Sequence, residues 1–151
     1  MSVSIVSSNL LDAPELYIGH QCNCVTIGNG AGLAKLLFKK FPYANTYIRR
    51  TEPSCAGSYS VHGNGKERRF VVNLYAQYHP GKARKLPDTK DKRLEWLISG
   101  LNQFVAACSP PDFALPYGIG CGLAGGEWED YFHALEDFSS TTGLQIRLYK
   151  I

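Results

Sequence analysis

Two glycine-rich segments without a single charged side chain constrain this chain most. They are Cys24-Val25-Thr26-Ile27-Gly28-Asn29-Gly30-Ala31-Gly32 and Tyr117-Gly118-Ile119-Gly120-Cys121-Gly122-Leu123-Ala124-Gly125-Gly126. Each follows an apolar run with strand character and precedes apolar residues at helical spacing. A strand, a glycine loop and a helix N-terminus together present backbone N–H groups, which bind anions. Two such loops facing each other grip a diphosphate without lysine or arginine. The first reads G-x-G-x-G and follows the second strand, so it is not the dinucleotide fingerprint. The pair is the more specific signal, because plain turn-making glycines need not recur in the same strand–loop–helix setting.

Bulk properties narrow the class. A chain of 151 residues suits one domain and buries about two-thirds of its unfolded surface. Charged residues make up 19%, below the roughly 25% of average chains, so a folded core is expected rather than a disordered tail. A net charge of +3 is too small to imply nucleic-acid binding by itself. No stretch reaches the ~18–20 apolar residues of a membrane span, and no basic n-region or long apolar h-region follows the short apolar Met1–Val6, so a soluble, non-secreted protein is expected. Five irregularly spaced cysteines argue for a reducing compartment, the cytoplasm or a eukaryotic nucleus. Cys22-Asn23-Cys24 lacks zinc-site spacing, and neither a metal nor a cofactor is expected.

Strands are predicted at Ser2–Val6, Leu16–Asn23, Tyr59–His62, Arg69–Gln77, Phe113–Leu115 and Leu144–Tyr149. Leu33, Leu36, Leu37 and Phe41 mark a helix, and Pro42 opens a second short helical stretch through Ile48. Tyr78–Lys92 reads as a loop, and Leu94 to Val105 as a helix of about four turns. Trp128 to Phe138 marks a further helix, stopped near Gly143. Alternating strands and helices predict an α/β domain with a mixed, largely parallel sheet covered on both faces. Ligands of such sheets bind beyond the carboxyl ends of the strands, where both glycine loops fall.

Few side chains here promise chemistry. Asn23 closes the second strand and serves either a ribose hydroxyl pair or a turn. His20 and His79 are the candidate general bases, against the ordinary reading of histidines satisfied within the structure. Lys82, Arg84, Lys85, Lys90, Lys92 and Arg93 form a basic run partly cancelled by Asp88 and Asp91. It reads as a solvated surface, with a polyanionic partner as the minority alternative.

Gly19-His20-Gln21-Cys22-Asn23-Cys24, Gly28-x-Gly30-Ala31-Gly32-Leu33-Ala34 and Phe41-Pro42 resemble the second strand and first loop of macro domains. Ala114-Leu115-Pro116, Ile119-Gly120-Cys121-Gly122-Leu123-x-Gly125 and Trp128 resemble that family's second loop. The resemblance covers essentially the whole chain. It implies a monomeric three-layer α/β/α domain that binds ADP-ribose or its derivatives, including ADP-ribosylated protein. Asn9 falls at the adenine-recognising position and Tyr149 where an aromatic lies near adenine. Asn23, Gly28, Asn29, Gly30, Ala31 and Gly32 would surround the distal ribose and one phosphate. Ile119, Gly120, Cys121, Gly122 and Leu123 would contribute to the diphosphate cradle.

The His20-x-Cys22-Asn23-Cys24 form is most similar to the branch that dephosphorylates ADP-ribose 1''-phosphate, where the matching histidine is held catalytic. The expectation is therefore a phosphatase using His20. Hydrolysis of ester-linked ADP-ribose and non-catalytic reading of ADP-ribose are the alternatives. The branch that cleaves ADP-ribose from glutamate has a lysine where Gln77 stands and an aspartate where Ala124 stands.

Overall fold

The computed structural model of the chain describes residues 3–151. It forms strands β1 (Val3–Ser7), β2 (Tyr17–Asn23), β3 (Tyr59–His62), β4 (Phe70–Gln77), β5 (Asp112–Pro116) and β6 (Gln145–Lys150). The helices are α1 (Gly32–Lys40), α2 (Lys90–Cys108) and α3 (Trp128–Thr142). Ser2, where the first strand was expected to begin, lies outside the described residues. The strands make one sheet in the order β1-β6-β5-β2-β4-β3. Every pairing is parallel except β3 with β4, which is antiparallel. The mixed, largely parallel sheet expected from the alternation of strands and helices is what forms.

Period-two alternation divides the core between the two faces. Val72, Leu74, Phe113, Leu115, Ile146 and Leu148 pack in one cluster with Leu97, Leu101 and Phe104 of α2 and Leu135 and Phe138 of α3. Ile18, Cys22, Val71, Tyr75 and Ala114 face the other way, in a cluster with Leu37 and Phe38 of α1. Helices thus cover both faces, giving three layers. β2, β4 and β5 run parallel, so their carboxyl ends, Asn23, Gln77 and Pro116, reach one edge of the sheet. The loops that follow all start there.

Two local expectations need correction. The helical stretch from Pro42 to Ile48 is reduced to a 3₁₀ turn at Pro42–Ala44. Asn45 Oδ1 accepts from the Ile48 amide at 3.2 Å, a side-chain bond that competes with continued helix. The loop expected through Lys92 ends earlier, because Thr89 caps α2 by accepting from Lys92 N at 3.1 Å. At the other end Ser109 takes a left-handed conformation with φ 44°.

Gly19 shows how tightly β2 sits against β5. A Cβ there would stand 2.3 Å from Phe113 Cζ and 3.0 Å from Leu115 Cδ2, both in the core. Gly19→Ala should destabilise the protein by about 1–3 kcal/mol through overpacking, read from urea unfolding. Combining it with Phe113→Leu should recover part of the loss. Unchanged stability in Gly19→Ala would contradict this packing.

Candidate functional site

The first glycine loop leaves β2 through an Asx-type turn. Asn23 Oδ1 accepts from Val25 N at 3.0 Å and Thr26 N at 2.7 Å. Its Nδ2 donates to no described residue. Asn23 is therefore a turn cap through its oxygen and a spare donor through its nitrogen. Beneath the loop, Tyr47 Oη accepts from Asn23 N at 2.8 Å. The Arg50 guanidinium lies 5.0 Å from the Tyr47 ring centroid and donates to the Thr26 and Asn23 carbonyls at 3.0 and 3.1 Å. These two side chains hold the loop without entering any local motif.

The loop ends at the N-terminus of α1, which Ala31 leaves without a side-chain cap and whose first turn carries no acidic residue. Among the described residues, the amides of Gly30, Gly32 and Leu33 have no protein acceptor. The second loop repeats the arrangement. Its turns bond internally, Cys121 N to Gly118 O at 2.9 Å and Gly126 N to Gly120 O at 2.9 Å, while the Gly120, Gly122 and Leu123 amides have no acceptor among the described residues. Gly120 has φ +80°, and a Cβ would meet Tyr131 Cε2 at 2.3 Å, so only glycine fits that position.

The loops face each other. Leu123 reaches across so that its Cδ1 lies 3.0 Å from where a Cβ would stand on Gly32. Between them is a cleft of about 680 Å³ at the carboxyl edge of the sheet. None of the lysine, arginine, aspartate or glutamate side chains lines it. Asn23, Asn29, Gly30, Ala31, Gly32, Ile119, Gly120, Cys121, Gly122 and Leu123 line it, together with His20. Gln77 and Ala124, the positions that depart from the glutamate-cleaving branch, line it as well. Gln21 Nε2 donates to Gln77 Oε1 at 2.8 Å, and Gln77 Nε2 donates to the His79 carbonyl at 2.8 Å.

Three anticipated residues stand apart from the lining. Gly28 sits on the outer turn, its amide 3.4 Å from Tyr47 O. Asn9 is exposed and accepts from Leu11 N at 3.0 Å, capping a 3₁₀ turn. Tyr149 is buried in the α1-face cluster and donates its hydroxyl to Glu15 Oε1 at 2.6 Å. Hydrogen bonds within the protein, one local and one between distant segments, hold both side chains that were expected at adenine.

His20 is 1% exposed. Asn73 donates its amide to Ala44 O at 2.9 Å, so its Oδ1 faces His20 and accepts from Nε2–H at 2.7 Å. The ring stands edge-on to Phe38, and Cys22 Sγ lies 3.4 Å from Nε2. Burial lowers its pKa from 6.5 to about 4, against the opposing Asn73 bond. The imidazole is neutral at pH 7, with one nitrogen already committed. Burial also raises the Cys121 thiol to about 11. His79, the other candidate base, is exposed on the loop after β4.

Arg93 was read as part of a solvated basic run, and the structure corrects that. It is 2% exposed and paired with the equally buried Asp88, Nε to Oδ1 at 2.6 Å. Burial alone would raise the Asp88 carboxyl. The Arg93 guanidinium and the His79 N–H outweigh it and hold the carboxyl below its usual range. Lys82, Arg84, Lys85, Lys90 and Lys92 do sit on the surface.

No family model and no curated protein matches the sequence. Solved structures do match. The macrodomain of Mycobacterium tuberculosis DarG superposes with a TM-score of 0.78 at 21% identity, covering 99% of this chain and 97% of that one. The macrodomain of Thermus aquaticus DarG gives 0.75 at 21% identity, over 99% and 98%. The chain has the macrodomain fold. Thermosipho africanus DarTG in complex with ADP-ribose also matches, with a TM-score of 0.72 at 16% identity over 98% of this chain and 41% of that protein. Within the macrodomain fold, this cleft is built from neutral loops and a neutral histidine.

His20 makes a pH prediction. Between pH 6.5 and about 4 the unfolded chain binds a proton on His20 that the folded chain excludes. Stability should fall as pH drops through that window, by about 3 kcal/mol from this residue once below pH 4. Urea unfolding at pH 7 and pH 5 should show a smaller difference in His20→Gln than in wild type. An equal difference in both would contradict a buried neutral His20.

Proposed function

We propose that the cleft binds ADP-ribose or a close derivative and holds its diphosphate between the two sets of backbone amides. The observation that carries this reading is the pair of uncharged loops, each with unpaired N–H groups, brought face to face across one cleft. Unpaired amides at a helix N-terminus stabilise a phosphate where no cation is present. A folded likeness captured with ADP-ribose, the Thermosipho africanus DarTG protein, supports the choice of ligand.

The phosphatase reading asks more of the side chains. Release of phosphate from ADP-ribose 1''-phosphate by His20 needs that ring to gain or lose a proton near neutral pH. A ring with a pKa near 4 and its N–H held by Asn73 is poorly matched to either task. The geometry therefore supports a reader of ADP-ribose better than a phosphatase. Hydrolysis of an ester-linked ADP-ribose is the catalytic reading most compatible with the cleft, because the substrate itself can position the attacking water. The neutral lining favours that second reading, since an ester needs no cation to offset a terminal phosphate.

Calorimetric titration with ADP-ribose should give saturable one-site binding. Gly122 has room, since a Cβ there meets nothing within 4 Å. Gly122→Val should keep the thermal midpoint while weakening ADP-ribose by about tenfold or more, roughly 1.4 kcal/mol. Full affinity in that variant, or no binding by wild type, would remove the proposal. Assays on ADP-ribose 1''-phosphate and an ester-linked ADP-ribose decide between the readings. Phosphate release that disappears in His20→Gln would restore the acid–base role to that residue.

A further inference from the structure

Arg93 spends every donor it has on the rim of the cleft. A guanidinium carries five N–H groups. Nε and one Nη2 hydrogen go to Asp88, at 2.6 and 2.9 Å. The second Nη2 hydrogen goes to His79 O at 3.1 Å, and the two on Nη1 go to Gly81 O at 2.6 Å and Ala124 O at 3.2 Å. Asp88 Oδ2 in turn accepts from His79 N at 2.8 Å. Gly81 and Ala124 both line the cleft, one on the loop after β4 and the other in the second glycine loop.

One planar cation on α2 therefore ties together two segments far apart in sequence. The link continues inward, because the His79 carbonyl that accepts from Arg93 also accepts from Gln77 at the cleft floor. The Lys82 stem adds a second contact between the same segments, with Cγ 2.8 Å from where a Cβ would stand on Gly125. A lysine in place of Arg93 has three donors on one atom and cannot span this set.

We propose that Arg93 is a positioning residue for ligand binding, fixing the spacing between the Gly81 rim and the second amide loop without touching the ligand. This rests on reading the cleft as the ADP-ribose site. Its consequence is that affinity depends on a buried ion pair outside the cleft. Loops held in place before binding cost less to order when the diphosphate enters.

Deleting one member of a buried pair strands the other charge, so single variants confound folding with positioning. Replacing both by apolar groups removes that charge and often restores stability. The informative protein is thus the double variant Asp88→Leu/Arg93→Met, with Arg93→Lys as a milder companion that keeps the charge. Both are compared with wild type in urea unfolding, in amide hydrogen exchange, and in calorimetric titration with ADP-ribose.

The double variant should unfold cooperatively near the wild-type midpoint. The Gly125 and Gly126 amides, which bond to Gly122 O and Gly120 O, should exchange faster while α2 and β4 keep their protection. ADP-ribose should bind at least about tenfold more weakly, with Arg93→Lys in between. Wild-type affinity in a folded double variant would overturn the proposal, and so would faster exchange spread evenly through the chain. Should the double variant fail to fold, Arg93→Lys decides on the same exchange and binding criteria. Absence of ADP-ribose binding by wild type would refute the ligand assignment instead, and the exchange pattern would still decide whether Arg93 holds the rim.

Discussion

A backbone N–H at a helix start or on a tight turn needs an acceptor from outside its own element, and among the described residues the two glycine loops hold several that find none in the protein. That constraint organises the rest of the molecule. The amides are left free because α1 begins without a capping side chain and because the turns of the second loop close on Gly118, Gly120 and Gly122 carbonyls without using the Gly120, Gly122 and Leu123 amides. They converge because parallel strands end at one edge of the sheet. They suit a phosphate because nothing charged lines the space between them. Attraction for an anion then comes from dipoles fixed in the fold, which need no side-chain ordering when ligand arrives.

Charge is instead set behind the cleft. Arg50 sits under the first loop and Arg93 behind the second, each donating to loop carbonyls. Both cations hold the carbonyls of a neutral cradle, and neither lines the cleft. The division separates two demands that conflict in a small site. A cation in the cleft would raise affinity for any anion, whereas amides at fixed positions select for shape. Exposed cations at Lys90 and Lys92 reach Glu127 and Glu95, at 3.3 and 3.6 Å, so part of the surface charge of α2 is spent locally.

The parts of this arrangement that depend on local sequence were legible. The strand–glycine–helix units are contiguous, and α3 announces itself by Tyr131, Leu135 and Phe138 at helical spacing and by Gly143 at its end. The parts that depend on long-range contacts were not. Tyr47 reaches the first loop from 24 residues away, in a stretch that reads as helix but is broken by the Asn45 side chain. Arg93 looks like one more cation in a basic run, and beside Asp88 it is the carbonyls of His79, Gly81 and Ala124, the last 31 residues away, that take up its buried donors. His20 shows the same limit from the other side. Its type and neighbours resemble a catalytic motif, whereas its partners, Asn73 and Phe38, come from β4 and α1. Asn9 and Tyr149 fall at adenine by resemblance, whereas the bonds that occupy them, to Leu11 and Glu15, are visible only in the structure.

Amide chemical shifts followed by NMR during titration with ADP-ribose test the central claim most directly, because they report on the N–H groups themselves. Gly30, Gly32 and Leu33 of one loop and Gly120, Gly122 and Leu123 of the other should move together along a single saturation curve. Shifts confined to one loop, or centred on the basic surface at Lys82 to Lys92, would contradict a diphosphate clasped between opposed backbone cradles.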